Sequence, residues 1–231
     1  MKRRCVAMIL AAGQGKRMGC ATQKQYMQLN GYPVLYYSLK QFEESIVDSI
    51  VLVVGKGEIQ YCQEEIVNRY GFQKVEMIVE GGKERYESVY YGLQAMKEAE
   101  YVLIHDGARP LITKEIVERC IEQVQYEHAC VVGMPVKDTI KVVDEKQYAK
   151  ETPNRSTLWL VQTPQAFCFE LVKLAYMKMM EQGDTTATDD AMVVEQYANH
   201  SIKLIEGSYE NIKITTPEDL IIAQTLLKNR S

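Results

Sequence analysis

Three segments of this chain combine small residues, cations and a carboxylate in a way that suits the handling of a polyphosphate. The first reads Leu10-Ala11-Ala12-Gly13-Gln14-Gly15-Lys16-Arg17-Met18-Gly19 and continues to Lys24-Gln25. Small residues there let backbone N–H groups approach phosphate oxygens, while Lys16, Arg17 and Lys24 supply positive charge. The second, His105-Asp106-Gly107-Ala108-Arg109-Pro110, sets a carboxylate just beyond an apolar run. A hard oxygen ligand at Asp106 suits a Mg²⁺ ion that bridges nucleotide phosphates; alternatively, Asp106 pairs with Arg109 and closes a turn. The third, Gly81-Gly82-Lys83-Glu84-Arg85-Tyr86-Glu87-Ser88, enters a helix and can turn its N–H groups toward an anion, or can simply start that helix.

Other chemistries fit less well. The first loop lacks the GK[ST] ending of a Walker loop. The second apolar run ends Val53-Val54-Gly55-Lys56, without the acid that a dinucleotide-binding oxidoreductase places on its ribose. Three histidines are few for acid–base catalysis. A phosphate monoester with a second pKa near ~6, however, is already ionised at neutral pH and can attack without a general base. Such a reaction needs two anions screened from each other, an aligned attacking oxygen, and cations for the departing pyrophosphate. Arg155, Gln162-Thr163-Pro164-Gln165, Thr188-Asp189-Asp190 and Asn211-Ile212-Lys213 offer suitable groups, although each alone reads equally as a solvated charge or a cap.

These residues need a frame. Short apolar runs at 6–10, 50–54, 75–79, 101–104, 129–133 and 202–205 read as buried strands. Segments with helical spacing alternate with them at 34–42, 58–70, 84–98, 114–126, 169–180 and 189–197. The alternation predicts an α/β fold, a mainly parallel Rossmann-like sheet with helices on both faces, whose ligands bind beyond the carboxyl ends of the strands. Residues 136–160 break the rhythm: polar, with alternating Thr139-Ile140-Lys141-Val142-Val143, they read as a protruding hairpin arm and a dimer contact. Thr216-Pro217-Glu218-Asp219 opens a last helix with a cap and an early proline.

The 231 residues fit one domain, and 46% hydrophobic with 25% charged side chains is an ordinary globular balance. A net charge of -4 argues against a surface built for nucleic acid or an anionic membrane. Six scattered cysteines without a CxxC pair read as reduced, mostly buried thiols. Lys2, Arg3 and Arg4 before the apolar 5–12 run imitate a signal peptide, but that run is short and leads straight into the glycine-rich loop. A buried first strand of a cytoplasmic protein fits better.

Taken in order, the segments resemble the methylerythritol-phosphate cytidylyltransferases of the non-mevalonate isoprenoid pathway. The marks are Ala11-Ala12-Gly13 with Gly15, Arg17, Met18 and Lys24-Gln25; Gly81-Gly82 with Arg85 and Ser88-Val89; His105-Asp106 with Ala108-Arg109-Pro110; and Pro135-Val136-Lys137-Asp138-Thr139. Arg155 before Leu158-Trp159, Gln162-Thr163-Pro164-Gln165, Thr188-Asp189-Asp190-Ala191 and Asn211-Ile212-Lys213 complete them. The resemblance implies a homodimer that uses Mg²⁺ and CTP to cytidylylate methylerythritol 4-phosphate. It implies that Arg17 and Lys24 stabilise the α-phosphate, that Ala11, Ala12, Gly13, Gly15, Gly82 and Ser88 surround the nucleotide, and that Asp106 lies near the metal. Thr139, Arg155 and Lys213 would hold the acceptor, the first two from the partner's arm, with Arg109, Thr163 and Thr188 lining its pocket. Gly107 stands where the family often has alanine, which implies a looser backbone beside Asp106; Gln23 replaces a common proline, and Thr152-Pro153-Asn154 leads into the arm's arginine. A ribitol-phosphate cytidylyltransferase and a non-catalytic nucleotide-binding protein are the competing readings; Trp159 and the Thr188–Ala191 run favour the isoprenoid enzyme.

Overall fold

The computed structural model describes residues 4–13 and 23–230. Its elements are β1 (Cys5–Ala11), the short hairpin β2 (Gln28–Leu29) and β3 (Tyr32–Pro33), α1 (Val34–Glu44), β4 (Ser49–Val54), α2 (Ile59–Tyr61) continuing as a π-helical stretch over Cys62–Asn68, β5 (Val75–Glu80) and α3 (Arg85–Ala95). There follow β6 (Tyr101–Asp106), α4 (Lys114–Glu127), β7 (Ala129–Pro135), β8 (Val142–Val143), β9 (Ala149–Glu151), β10 (Trp159–Cys168), α5 (Phe169–Gln182), α6 (Asp190–Ala198), β11 (Lys203–Glu206) and α7 (Pro217–Asn229).

Seven strands form one sheet in the order β11-β7-β10-β6-β1-β4-β5. All neighbours run parallel except β10, which is antiparallel to both β6 and β7. Alternate strand residues serve opposite faces, as the period of two requires. Ala7, Ile9, Ile50, Leu52 and Leu103 pack under α1, α4 and the π-helical stretch through Leu39, Phe42, Ile66, Val117 and Ile121. Val6, Met8, Val51, Val53, Val102 and Ile104 meet α3, α5 and α6 through Val89, Leu93, Val172, Tyr176 and Val194. The sheet is therefore buried on both sides, and its strands read as continuous apolar runs. α7 closes a smaller cluster with Leu29, Val34, Leu111 and Ile214.

The six parallel strands coincide with the apolar runs of the sequence, but β10 does not, because Gln162, Thr163, Pro164 and Gln165 interrupt any apolar run. The sheet accommodates Pro164 where the pairing of β10 with β7 shifts register between Val161 and Gln165, the kind of irregularity at which proline is tolerated in a strand. The arm is correspondingly shorter than residues 136–160: Trp159 already pairs with Pro135 and Leu160 with Met134. Val136 N–H donates to Leu158 O at 3.0 Å across its base. Its outer part carries the β8–β9 ladder, with Ile140, Val142, Val143 and Tyr148 exposed.

Parallel register fixes where the chemistry-bearing segments meet. Leu10 lies beside Asp106, Ala11 beside Val54 and Val54 beside Glu80. The first loop, the Asp106 turn and Gly81-Gly82 thus leave the sheet at one edge.

Candidate active site

Among the described residues, two of the cavities at that carboxyl edge share a wall. One, of about 140 Å³, is lined by Ala11, Ala12, Gly13, Lys24, Gly82, Ser88, Asp106 and Lys213, together with Lys83, Glu84 and Arg85. The other, of about 300 Å³, is lined by Arg109, Thr163, Thr188, Gln162, Gln165 and Asp189. Arg85, Asp106 and Lys213 belong to both and form the wall between them. Gly15 and Arg17, with Lys16, lie outside the described residues.

Asp106 is the centre of that wall. Lys213 Nζ lies 2.7 Å from Asp106 Oδ2, Arg85 Nε–H donates to Oδ1 at 3.2 Å, and Arg109 Nε stands 3.9 Å from Oδ2. Burial alone would raise the Asp106 pKa, but the charges of Arg85, Lys213 and Arg109 outweigh it and hold the carboxyl well below the usual carboxylate range. Neither alternative for Asp106 is complete as read from sequence. Arg109 is near it, yet the shorter contacts come from Arg85 and Lys213, which are distant in the chain. Arg109 is itself turned by the backbone: its Nη1–H donates to Asn211 O at 2.7 Å, and Asn211 is buried with Nδ2–H donating to Thr163 O at 2.9 Å.

The backbone beside Asp106 is not looser for having Gly107. Gly107 N–H donates to Leu10 O at 2.9 Å, Ser38 Oγ–H donates to Gly107 O at 3.2 Å, and an added Cβ would sit 2.8 Å from Leu35 Cδ1. Asp106 N–H donates to Thr163 Oγ1 at 3.1 Å, and the same oxygen lies 3.1 Å from His105 Nδ1. Thr163 thus anchors the Asp106 turn as well as lining the second cavity.

His105 is fully enclosed, and burial pushes its pKa down to about 3 from 6.5. The unfolded chain takes up a proton below about 6.5 that the folded chain refuses until about 3, so stability rises with pH across that window. Thermal melts from pH 7.5 down to pH 4.5 are expected to show a falling Tm, with a shallower fall in His105→Asn; identical slopes would remove His105 as the source.

The Gly81–Ser88 segment enters the site differently from its sequence reading. Gly81 N–H donates to Val54 O at 2.8 Å, Gly82 N–H to Ser88 Oγ at 3.1 Å, and the N–H groups of Lys83 and Glu84 to Glu87 Oε2 at 2.7 and 2.9 Å. These donors shape the turn rather than face a ligand, and the cap of α3 is a Glu84–Glu87 capping box. The segment lines the first cavity with its small residues. Space there is tight: a Cβ on Gly81 would lie 2.6 Å from both Ala12 Cβ and Ser88 Oγ.

Thr139 and Arg155 are exposed on the arm and line neither of these two cavities; Arg155 Nη1–H donates to Lys137 O at 2.7 Å. The main omission of the sequence reading is Arg85 as a site residue. Its guanidinium forks onto Asp190, with Nη1 to Oδ1 at 2.8 Å and Nη2 to Oδ2 at 2.7 Å. Both residues stand in segments that the sequence reading singled out, but their separation of 105 positions hides the pairing.

Known proteins agree with this architecture. The sequence model of the family described as IspD, 2-C-methyl-D-erythritol 4-phosphate cytidylyltransferase, matches residues 5–229. The chain belongs to this family. The cytidylyltransferase of Lachnospira eligens is 55% identical over 224 residues, covering 96% of this chain and 98% of that one. The one from Lachnoclostridium phytofermentans is 50% identical over 222 residues, with 96% and 95% covered. Among solved structures, the 4-diphosphocytidyl-2C-methyl-D-erythritol synthase of Anaerococcus prevotii superposes with a TM-score of 0.86 at 32% identity, covering 98% of this chain and 96% of that one. The cytidylyltransferase from Thermus thermophilus gives 0.78 at 29% identity, covering 99% and 100%. In this cytidylyltransferase the described cysteines follow expectation: the five form no disulfide with one another, and four of them are buried.

Proposed function

We propose that this cytidylyltransferase transfers CMP from CTP to 2-C-methyl-D-erythritol 4-phosphate, giving 4-diphosphocytidyl-2-C-methyl-D-erythritol and pyrophosphate. The observation that carries the reading is the cationic wall shared by two cavities, which suits two anions that must approach each other. The nucleotide occupies the cavity lined by Ala11, Ala12, Gly13, Gly82 and Ser88; Gly15, assigned to the nucleotide by the resemblance, lies outside the described residues. The acceptor occupies the one lined by Arg109, Thr163 and Thr188. Lys213, on the wall, screens the acceptor phosphate from the α-phosphate, whose developing charge Lys24 and Arg17 stabilise. The acceptor phosphate attacks as the dianion, so no side chain removes a proton. His105, held neutral and enclosed, takes no part in proton transfer.

Mg²⁺ fits the donor set in one respect: Asp106 offers an ionised hard-oxygen ligand, and this ion is commonly held by one or two carboxylates plus substrate phosphates. Among the described residues no group of three or more acidic, histidine or cysteine side chains is poised to hold a metal without substrate. When bound, Mg²⁺ supplies charge neutralisation to the phosphates.

Arg155 and Thr139 are exposed on the arm and line neither of the two cavities of their own chain. They are assigned to the acceptor site of a second copy in a homodimer built on the arm between β7 and β10. The chain is read as one cytoplasmic domain; among the described residues no helix is long and apolar enough to cross a membrane.

The decisive assay is pyrophosphate release from CTP with methylerythritol 4-phosphate or ribitol 5-phosphate as acceptor. Release with the first alone is expected. Release with the second alone would keep the mechanism and overturn the acceptor, and silence with both would favour a nucleotide-binding protein without turnover.

A further inference from the structure

Asp190 has no accessible surface, yet it carries a carboxylate at the start of α6. Both its oxygens accept from Arg85, and Tyr176 Oη–H donates to Oδ1 at 2.6 Å. Tyr176 is itself in the core between α5 and the sheet. A buried ion pair of this kind is weak evidence for stability, because an apolar replacement of similar volume is often as stable. What such a pair does secure is direction: a guanidinium gripped by two parallel hydrogen bonds has one orientation. In that orientation the remaining edge of Arg85, its Nε–H, meets Asp106 Oδ1.

The carboxylate is itself fixed from the other side. Gln165 of β10 accepts from Ala191 N–H at 2.9 Å and donates to Asp189 Oδ2 at 3.0 Å, pinning the first turn of α6 to the sheet. Asp189 Oδ1 accepts from Met192 N–H and caps the helix. The chain of contacts therefore runs from the core, through Tyr176 and Asp190, to Arg85 and ends on the wall between the cavities.

We infer that Asp190, backed by Tyr176, is a positioning residue for cytidylyl transfer: it holds the Arg85 guanidinium in one orientation on the wall between the cavities and makes it the fixed brace of Asp106. Among the described residues three cations face Asp106, and two of them, Arg109 and Arg85, are tethered elsewhere by Asn211 O and by Asp190. Lys213 has no such tether among its described contacts with Asp106 and is the one whose movement to a substrate phosphate leaves Asp106 still held. Without the Asp190 charge the Arg85 guanidinium loses that single orientation, and Asp106 loses its brace.

The inference rests on the proposed transfer reaction, and wild-type turnover tests that reaction separately. A double-mutant cycle tests the brace: kcat, the KM for CTP and Tm are measured for wild type, Asp190→Asn, Asp106→Asn and the double variant. Asp190→Asn keeps the shape and removes the charge; kcat is expected to fall at least ~10-fold with the KM for CTP changed by less than ~3-fold. The double variant is expected to be no slower than Asp106→Asn alone, because both changes remove the same function. Multiplicative losses, or a lower Tm with undiminished kcat, would overturn it. Tyr176→Phe, which leaves the Arg85 fork in place, runs the same cycle with a smaller expected loss of ~2- to 5-fold should Asp190→Asn not fold. Additive behaviour there would also overturn the inference.

Discussion

Asp106→Asn is expected to lower kcat by on the order of 10²- to 10³-fold while binding CTP, in the absence of divalent metal, at least as tightly as the wild type. The two halves have one cause. Arg85, Lys213 and Arg109 converge on the Asp106 carboxylate, so removing its charge frees a positive wall for the anionic nucleotide. Ground-state attraction therefore rises or holds. The transition state loses the group that fixes where those cations stand and that offers a metal its oxygen ligand. Calorimetric titration of CTP into chelator-treated protein, paired with steady-state rates in Mg²⁺, separates the two. Weaker CTP binding with unchanged kcat would show that Asp106 serves the nucleotide and not the chemistry. A Tm measured alongside guards against a folding defect, since an uncompensated buried charge cluster is destabilising.

The layout that makes this prediction possible was partly legible in the chain. Apolar runs such as Ile50–Val54 could hardly be anything but strands once helices were seen between them, because a sheet covered on both faces erases the polar alternation. The convergence of Ala11-Ala12-Gly13, Gly82 and Asp106 followed from parallel order alone, since parallel strands deliver their following loops to one edge. What failed was whatever depended on a contact between remote residues. β10 carries Gln162, Thr163 and Gln165 inside a sheet because Asn211, Asp106 N–H and α6 take up their polar groups. No local pattern announces that. Arg85 and Asp190 likewise stand in noticed motifs, but only the fold brings their charges together. The N–H groups at 82–84 illustrate the reverse error: a glycine-rich helix entry looks like an anion site until Ser88 and Glu87 are seen to accept from it.

The remaining expectation concerns which chain completes the acceptor site. Arg155 bonds its own Lys137 O and lines neither of the two described cavities that share the Asp106 wall, whereas Lys24 lines the one proposed for the nucleotide. Under the proposed homodimer, each site takes Lys24 from one copy and Arg155 from the other. Arg155→Ala is then expected to raise the KM for the acceptor ~10- to 100-fold with little change for CTP, and Lys24→Ala to lower kcat by ~10²-fold or more. Mixing the two crippled proteins, with exchange of subunits, should restore activity. In a mixed dimer one site receives both damaged residues and the other receives neither. Random exchange makes half the dimers mixed, so about one site in four becomes intact. Had Arg155 served its own chain, every site in every dimer would carry one lesion and mixing would restore nothing. The outcome is read as rate at low acceptor concentration before and after exchange, where the two arrangements differ most. Recovery requires an arm that crosses between copies; persistent inactivity after verified exchange would return Arg155 to its own chain, with the arm folding back over the second cavity.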